Sequence, residues 1–183
     1  MWIVCILFST TTFAIVNPFQ QSKEKKHTDM RGNYEVIQII RFIKRTNWRL
    51  HKSEAKKIAM ALVKYGHEAD VDPRLAAALI ARESSFNRMA VSSTGAKGLG
   101  QIKEFNFKSL NISDPYNIDQ NVRGTVYYLK EMLNGWESHD DQKALALGSY
   151  FRGINHIRRQ NGQLDPHAQR YVDKILYQYR YRI

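Results

Sequence analysis

A single cysteine, Cys5, leaves the chain without a partner for an intrachain disulfide and without a cysteine metal cluster. Prolines number only four, and no apolar window is long enough to read as a membrane span. No internal repeat stands out, and no stretch carries a strong strand-like alternation. Acidic residues are scarce, 17 against 28 basic ones, for a net charge of +11. A disulfide-stapled scaffold, a repeat array and an all-β fold are thereby set aside. A mainly α chain with a core of its own remains.

The start is apolar from Trp2 to Phe8 and continues through Ser9–Val16, with small residues at Thr12 and Ala14. Residues 1–16 therefore read as an export signal cleaved after Ala14, or as a short uncleaved anchor, although no Lys or Arg precedes the run. Cys5 lies inside this leader as one more apolar residue. Residues 17–33 are polar and read as a linker. Residues 34–69 predict two core-building helices. The first, Tyr34–Lys44, would bury Val36, Ile37, Ile40 and Ile43. The second, Glu54–Tyr65, would be capped by Ser53 and ended by Gly66. Residues 70–183 then form the main unit. Asp72-Pro73 opens a helix, with Asp as cap and Pro in the first turn. Further helices are predicted over 120–133, 143–150 and 166–179, the last burying Ala168, Tyr171, Val172, Ile175 and Leu176.

The chemistry concentrates between Glu83 and Ile102. Leu79 and Ile80 precede Glu83 by four and three residues, so the carboxylate shares the apolar side of its helix. Burial penalises the ionised form, which suits a general acid. Gly95, Gly98 and Gly100 follow at the spacing of a tight turn rather than a helix. An acid at a helix end facing such a turn predicts a cleft. No second carboxylate sits in a comparable setting: Asp114 reads as a loop former, Asp119 as a helix N-cap and Glu104 as solvated.

The run Glu83-Ser84-x-Phe86, then Ala90-x-Ser92, then Gly95-Ala-x-Gly98-Leu-x-Gln101-Ile resembles the signature of the soluble lytic transglycosylase family. Asp114-Pro-x-x-Asn117-Ile, with Gly124 and Tyr128-Leu129, extends the likeness, which spans about residues 70–178. The resemblance implies a mainly α fold of the lysozyme-like α+β superfamily, with helices around a cleft and at most a small β-element. It implies cleavage of peptidoglycan glycan strands with no cofactor and no metal. Glu83 would protonate the oxygen between N-acetylmuramic acid and N-acetylglucosamine. It would then take the proton of the muramoyl C6 hydroxyl as that hydroxyl attacks C1, leaving a 1,6-anhydro end. Ser92 matches a serine that contacts or orients the acid, and Gln101 a cleft glutamine. Tyr150 matches a tyrosine near the acid, free to bond the carboxyl or the sugar, with core packing as its alternative. Tyr171 is a candidate for the core or the cleft wall. Ser84, Phe86, Gly95, Gly98 and Asn117 read as the structural part of the motif, Asn117 by bonding backbone.

The chain also departs from that pattern. Phe151 and Arg152 stand where the family has Asn and Ala, Gly100 where it has Met, and Lys103-Glu104 where Met-Pro is common. Phe151 could stack on a sugar face. The basic charge suits anionic stem peptides and wall polymers, and no nucleic-acid motif accompanies it. The expectation is an exported, envelope-located monomer acting on peptidoglycan, without nucleic acid, with an envelope or secretion-apparatus partner left open. A hydrolytic muramidase and a wall-binding protein with lost catalysis are the alternatives.

Overall fold

The computed structural model describes the backbone of residues 18–183 and the side chains from residue 30 onward. The expected leader, residues 1–16 with Cys5, lies outside the described residues. Among the described residues seven α-helices follow in order: α1 Pro18–Thr46, α2 Lys52–Ala69, α3 Pro73–Ser84, α4 Ile118–Asn134, α5 Gln142–Arg152, α6 Ile154–Arg159 and α7 Pro166–Tyr181. A 3-10 turn, Glu104–Asn106, lies between α3 and α4. The β content among the described residues is two isolated bridges, Val91 to Lys97 and Lys97 to Ile102. The mainly helical expectation with a minor β-element at the glycine turn therefore holds.

The middle of the molecule is α3. Every residue from Leu75 to Ile80 is buried, and a helix apolar all round must be covered on all sides. Helices α1, α2, α4 and α7 supply that cover. Leu75, Leu79 and Ile80 each contribute about 1.5–3 kcal/mol by leaving water. Asp72 caps the helix by accepting from the Arg74 amide at 2.9 Å, and Pro73 occupies the first turn. Residues of α1 and α2 share one continuous core with α3, α4 and α7.

Several boundaries differ from the sequence reading. The polar stretch expected as a linker is helical from Pro18 onward, because its Gln, Lys and Glu residues are good helix formers whatever their polarity. In α1 the buried stripe is Ile39, Phe42 and Ile43, while Ile37 is exposed. Helix α2 starts earlier, with His51 as its cap, and runs through Gly66 to end at left-handed Asp70. Gly66 is there for close approach: a Cβ would lie 2.8 Å from the Val71 carbonyl oxygen and from Pro73. Asp119 is not the cap of α4; that role belongs to Asn117, whose side chain accepts from the Gln120 amide at 3.1 Å. Asp119 instead accepts from the Tyr65 hydroxyl at 2.7 Å.

Candidate active site

Glu83 stands in the last turn of the buried helix α3. The chain then reverses sharply, with Ser85 at φ 50° and Phe86 at φ 61°, both left-handed without being glycine. Such residues are strained and persist only where the surroundings hold them. Phe86 is fully buried and meets Phe42 edge-on at 5.9 Å, which anchors the turn. Ser84 folds its hydroxyl back on the Ile80 carbonyl at 3.4 Å.

Two hydrogen bonds pin α3 to α7 end for end. The Tyr179 hydroxyl donates to Asp72 at 2.8 Å where α3 begins. At the other end the Tyr171 hydroxyl donates to Glu83 Oε1. Helix α7 therefore runs antiparallel to α3 and delivers a donor to the carboxyl. Burial raises the Glu83 pKa above 4.5, and the Tyr171 bond and the Arg82 charge oppose it without cancelling it. The Tyr171 phenol is itself held well above 10, by burial first and then by the neighbouring Glu83 charge. It therefore stays a donor throughout the working pH range.

The wall facing Glu83 is the glycine turn, with Gly95 at φ 80° and Gly98 at φ 78°. A Cβ on Gly98 would lie 2.2 Å from the Pro115 carbonyl oxygen, and one on Gly100 would lie 1.9 Å from Thr125. The turn thus presses its backbone directly against α4. Asn121, buried on α4, accepts from the Gly100 amide at 2.8 Å and donates to the Pro115 carbonyl at 2.8 Å. Tyr150 donates to the Gly100 carbonyl at 2.7 Å. Gln101, at φ 51°, donates through Nε2 to the carbonyls of Ala90 and Gly98 at 3.1 and 3.0 Å.

Between these walls lies a cavity of about 430 Å³ whose lining includes Glu83, Ser92, Gln101, Phe105, Tyr150, Phe151 and Arg152. Glu83 is the one carboxylate among its lining residues. Glu104 is exposed and pairs with Lys97 at 3.1 Å. A larger hollow of about 740 Å³ lies elsewhere, where Glu54 is already matched by Arg88 at 3.3 Å. Among the described residues no His, Cys, Asp and Glu group could hold a metal.

Two side chains, Ser92 and Tyr150, turn their hydroxyls otherwise than expected, and Tyr171 takes the core side of its two readings. The Ser92 hydroxyl lines the cavity but accepts from the Ala96 amide at 3.0 Å, so it shapes the turn rather than bonding Glu83. Tyr150 spends its hydroxyl on the Gly100 backbone, not on the carboxyl. Tyr171 is absent from the lining and acts from behind, on Glu83 itself. Phe151 lies flat on Tyr171, ring centroids 4.5 Å apart and planes 15° apart. Arg152 places its guanidinium 4.7 Å from the Phe151 centroid and grips Asp165, the α7 cap, with two bonds of 2.8 and 3.0 Å. Asn121 escaped the sequence reading. Its signal was an amide on the same helical stripe as buried Thr125 and Leu129.

A helical domain with a half-buried acid at a helix end and a glycine turn opposite is of the lysozyme-like class. A family model described as Transglycosylase SLT domain matches residues 60–171, more than half of the chain, and the chain belongs to this family. Membrane-bound lytic murein transglycosylase F of Photobacterium profundum is 30% identical over 138 residues, covering 73% of this chain and 25% of that protein. The like-named protein of Vibrio cholerae is 31% identical over 139 residues, 74% of this chain and 25% of its own length. The chain thus spans about a quarter of the length of these relatives. Among solved structures, an inactive mutant of lytic transglycosylase Slt from Pseudomonas aeruginosa matches with a TM-score of 0.58 and 20% identity. That match covers 65% of this chain and 22% of the other, and it shows the shared fold.

Proposed function

We propose that the chain cleaves the β-1,4 bond between N-acetylmuramic acid and N-acetylglucosamine in peptidoglycan, with release of 1,6-anhydromuramoyl ends. The observation that carries this reading is the single carboxylate in the cavity lining. A hydrolase of the usual kind needs a second one, about 5 Å away when retaining and about 6.5–9.5 Å away when inverting. With one acid in the lining, a nucleophile from the substrate itself completes the reaction, and the muramoyl C6 hydroxyl is the group that can supply it. Glu83, its pKa raised, gives its proton to the leaving oxygen. The carboxylate so formed accepts the C6 hydroxyl proton as that oxygen attacks C1, so acid and base are one group. Tyr171 holds the carboxyl in place and stabilises the charge it carries between the two steps.

The family membership and the relatives described as lytic murein transglycosylases support the same reading. Peptidoglycan lies outside the cytoplasmic membrane, so this activity belongs in the envelope, where the relatives described as membrane-bound would also work. No described helix is long and apolar enough to cross a membrane. The test is mass spectrometry of soluble products from purified peptidoglycan incubated with the full chain, beside Glu83→Gln. Anhydromuropeptides from the unmutated chain alone are expected. Reducing-end muropeptides would replace the C6 hydroxyl by water, and products from both proteins would remove Glu83 from the mechanism.

A further inference from the structure

Helix α1 is apolar on two sides, and the protein covers one of them. Ile39, Phe42 and Ile43 are buried against α2 and α3. Met30, Tyr34 and Ile37 follow one another at spacings of four and three residues, which puts them on one outward stripe. They are 64%, 60% and 47% exposed, where a surface helix ordinarily carries polar residues. The other exposed residues of α1 from position 30 onward are Arg31, Arg41, Arg45 and Asn33, and none is acidic. Glu35, the one acid of this stretch, is mostly covered, 3.4 Å from Arg31 and 2.7 Å from His67. Just past the helix, Trp48 is 72% exposed, with the Arg49 guanidinium 5.0 Å from its ring.

The mixture of apolar and cationic groups selects the occupant. A second copy docked face to face by the same helix would set arginines against arginines, with no exposed acid between them. A soluble polyanion would satisfy the arginines and leave Met30, Tyr34 and Ile37 in water. An anionic phospholipid surface takes both kinds. The apolar side chains enter the boundary with the acyl chains, while the guanidiniums reach back to the phosphates. Tyr34 and Trp48 are of the aromatic types that settle at headgroup level. No described helix is long and apolar enough to cross a membrane, so such a helix lies on the surface. The apolar run Trp2–Val16, read as a leader or anchor, ends where α1 begins, so an uncleaved run would bring the helix to the surface it fits. No residue of α1 lines the Glu83 cavity. We infer that the outward face of α1 docks on an anionic phospholipid surface, holding the chain at a membrane with its cleft left open.

The test is sedimentation of the full chain with phosphatidylcholine vesicles, with and without added phosphatidylglycerol. Tighter binding to the anionic vesicles is expected, weakening as salt is raised. Arg41→Gln should lower that affinity about fivefold, the worth of one arginine at an anionic surface. Ile37→Gln should lower it about tenfold, since an apolar side chain no longer leaves water. Arg159→Gln, an equal loss of charge at an exposed site on α6, should leave it unchanged. All three positions are exposed, so thermal unfolding of the variants should match the parent. Equal affinity for both kinds of vesicle overturns the inference. So does a loss on Arg159→Gln as large as on Arg41→Gln, which would reduce the attraction to net charge. A loss on Arg41→Gln with Ile37→Gln unmoved would give the face to any polyanion and overturn it. Vesicle binding indifferent to both substitutions would assign attachment to the run Trp2–Val16 instead. A dimer in solution that Ile37→Gln breaks, without vesicle binding, would give the face to a second copy. None of these readouts uses cleavage, so the inference stands or falls apart from the proposed reaction.

Discussion

The two walls around Glu83 are held by different forces. On the glycine-turn side, buried amides and backbone do the work: Asn121 holds the Gly100 amide, and Tyr150 holds the Gly100 carbonyl. On the side of α5 and α7, a stacked ring pair and an ion pair do it: Phe151 on Tyr171, and Arg152 on Asp165. The first wall keeps most of the family pattern that the sequence resembles, and the second departs from it. Yet the second wall holds the tyrosine that bonds the acid. Where the family pattern has an amide, this chain has an aromatic ring stacked on that tyrosine.

The largest effect belongs to the residue both walls serve. Glu83→Gln should reduce turnover by about 10²–10⁴-fold, the usual span for a general acid–base group. The same change should stabilise the protein at neutral pH. The folded-state pKa of Glu83 is raised, so its carboxylate costs stability once the unfolded chain ionises. That cost is absent well below 4.5, grows as pH rises through that value, and is constant above the raised folded pKa. Denaturation of both proteins across pH checks it: a stabilisation equal at pH 3 and pH 7 would contradict the raised pKa of Glu83.

Tyr171→Phe separates position from charge. The lost bond goes to an ionisable group and is worth about 1.5–3 kcal/mol, or about tenfold to a hundredfold in rate. Because that bond lowers the Glu83 pKa, its removal should also shift the alkaline limb of the pH–rate profile upward. A rate loss with an unmoved profile would mean that Tyr171 only packs. On the opposite wall, Asn121→Ala leaves the Gly100 amide buried without its acceptor and should cost about 1–3 kcal/mol of stability by chemical denaturation. A neutral result would remove the contrast between the walls.

Much of this was legible beforehand, and for local reasons. Asp72-Pro73 marks a helix start by cap chemistry, and Leu79 and Ile80 put Glu83 on a buried face by spacing alone. Asn117, ahead of a helix in an Asp-Pro-x-x-Asn loop, reads as a backbone-bonding residue and is one. Part of what failed depended on distant partners, and part on turn geometry close in the chain. Nothing near Tyr171 in the sequence says that its hydroxyl meets a carboxyl 88 positions away. Tyr150 and Ser92 keep their places in the cavity while their hydroxyls turn to backbone, Tyr150 to Gly100 fifty positions away and Ser92 to Ala96 within its own turn. Gly66 looked like a helix end because glycine often is one, but here the approach of Val71 and Pro73 demands it.

The smallest effect is the sharpest test of the comparison. Phe151→Asn restores the residue of the family pattern, and on sequence grounds it should help. The structure says the opposite. Asparagine cannot replace a ring lying 4.5 Å from Tyr171, and an aromatic pair of this kind is worth about 0.5–1.5 kcal/mol beyond its buried area. Turnover should therefore fall by about twofold to tenfold. Phe151→Tyr, which keeps the ring, should retain most of the rate. Arg152 would keep its bonds to Asp165 in both variants, so the start of α7 stays capped; Phe151→Asn removes the ring from both Tyr171 and the Arg152 guanidinium, whereas Phe151→Tyr keeps both contacts. A gain in turnover on Phe151→Asn would show that the departed wall carries a defect, and that the ring occupies space a substrate amide contact once used.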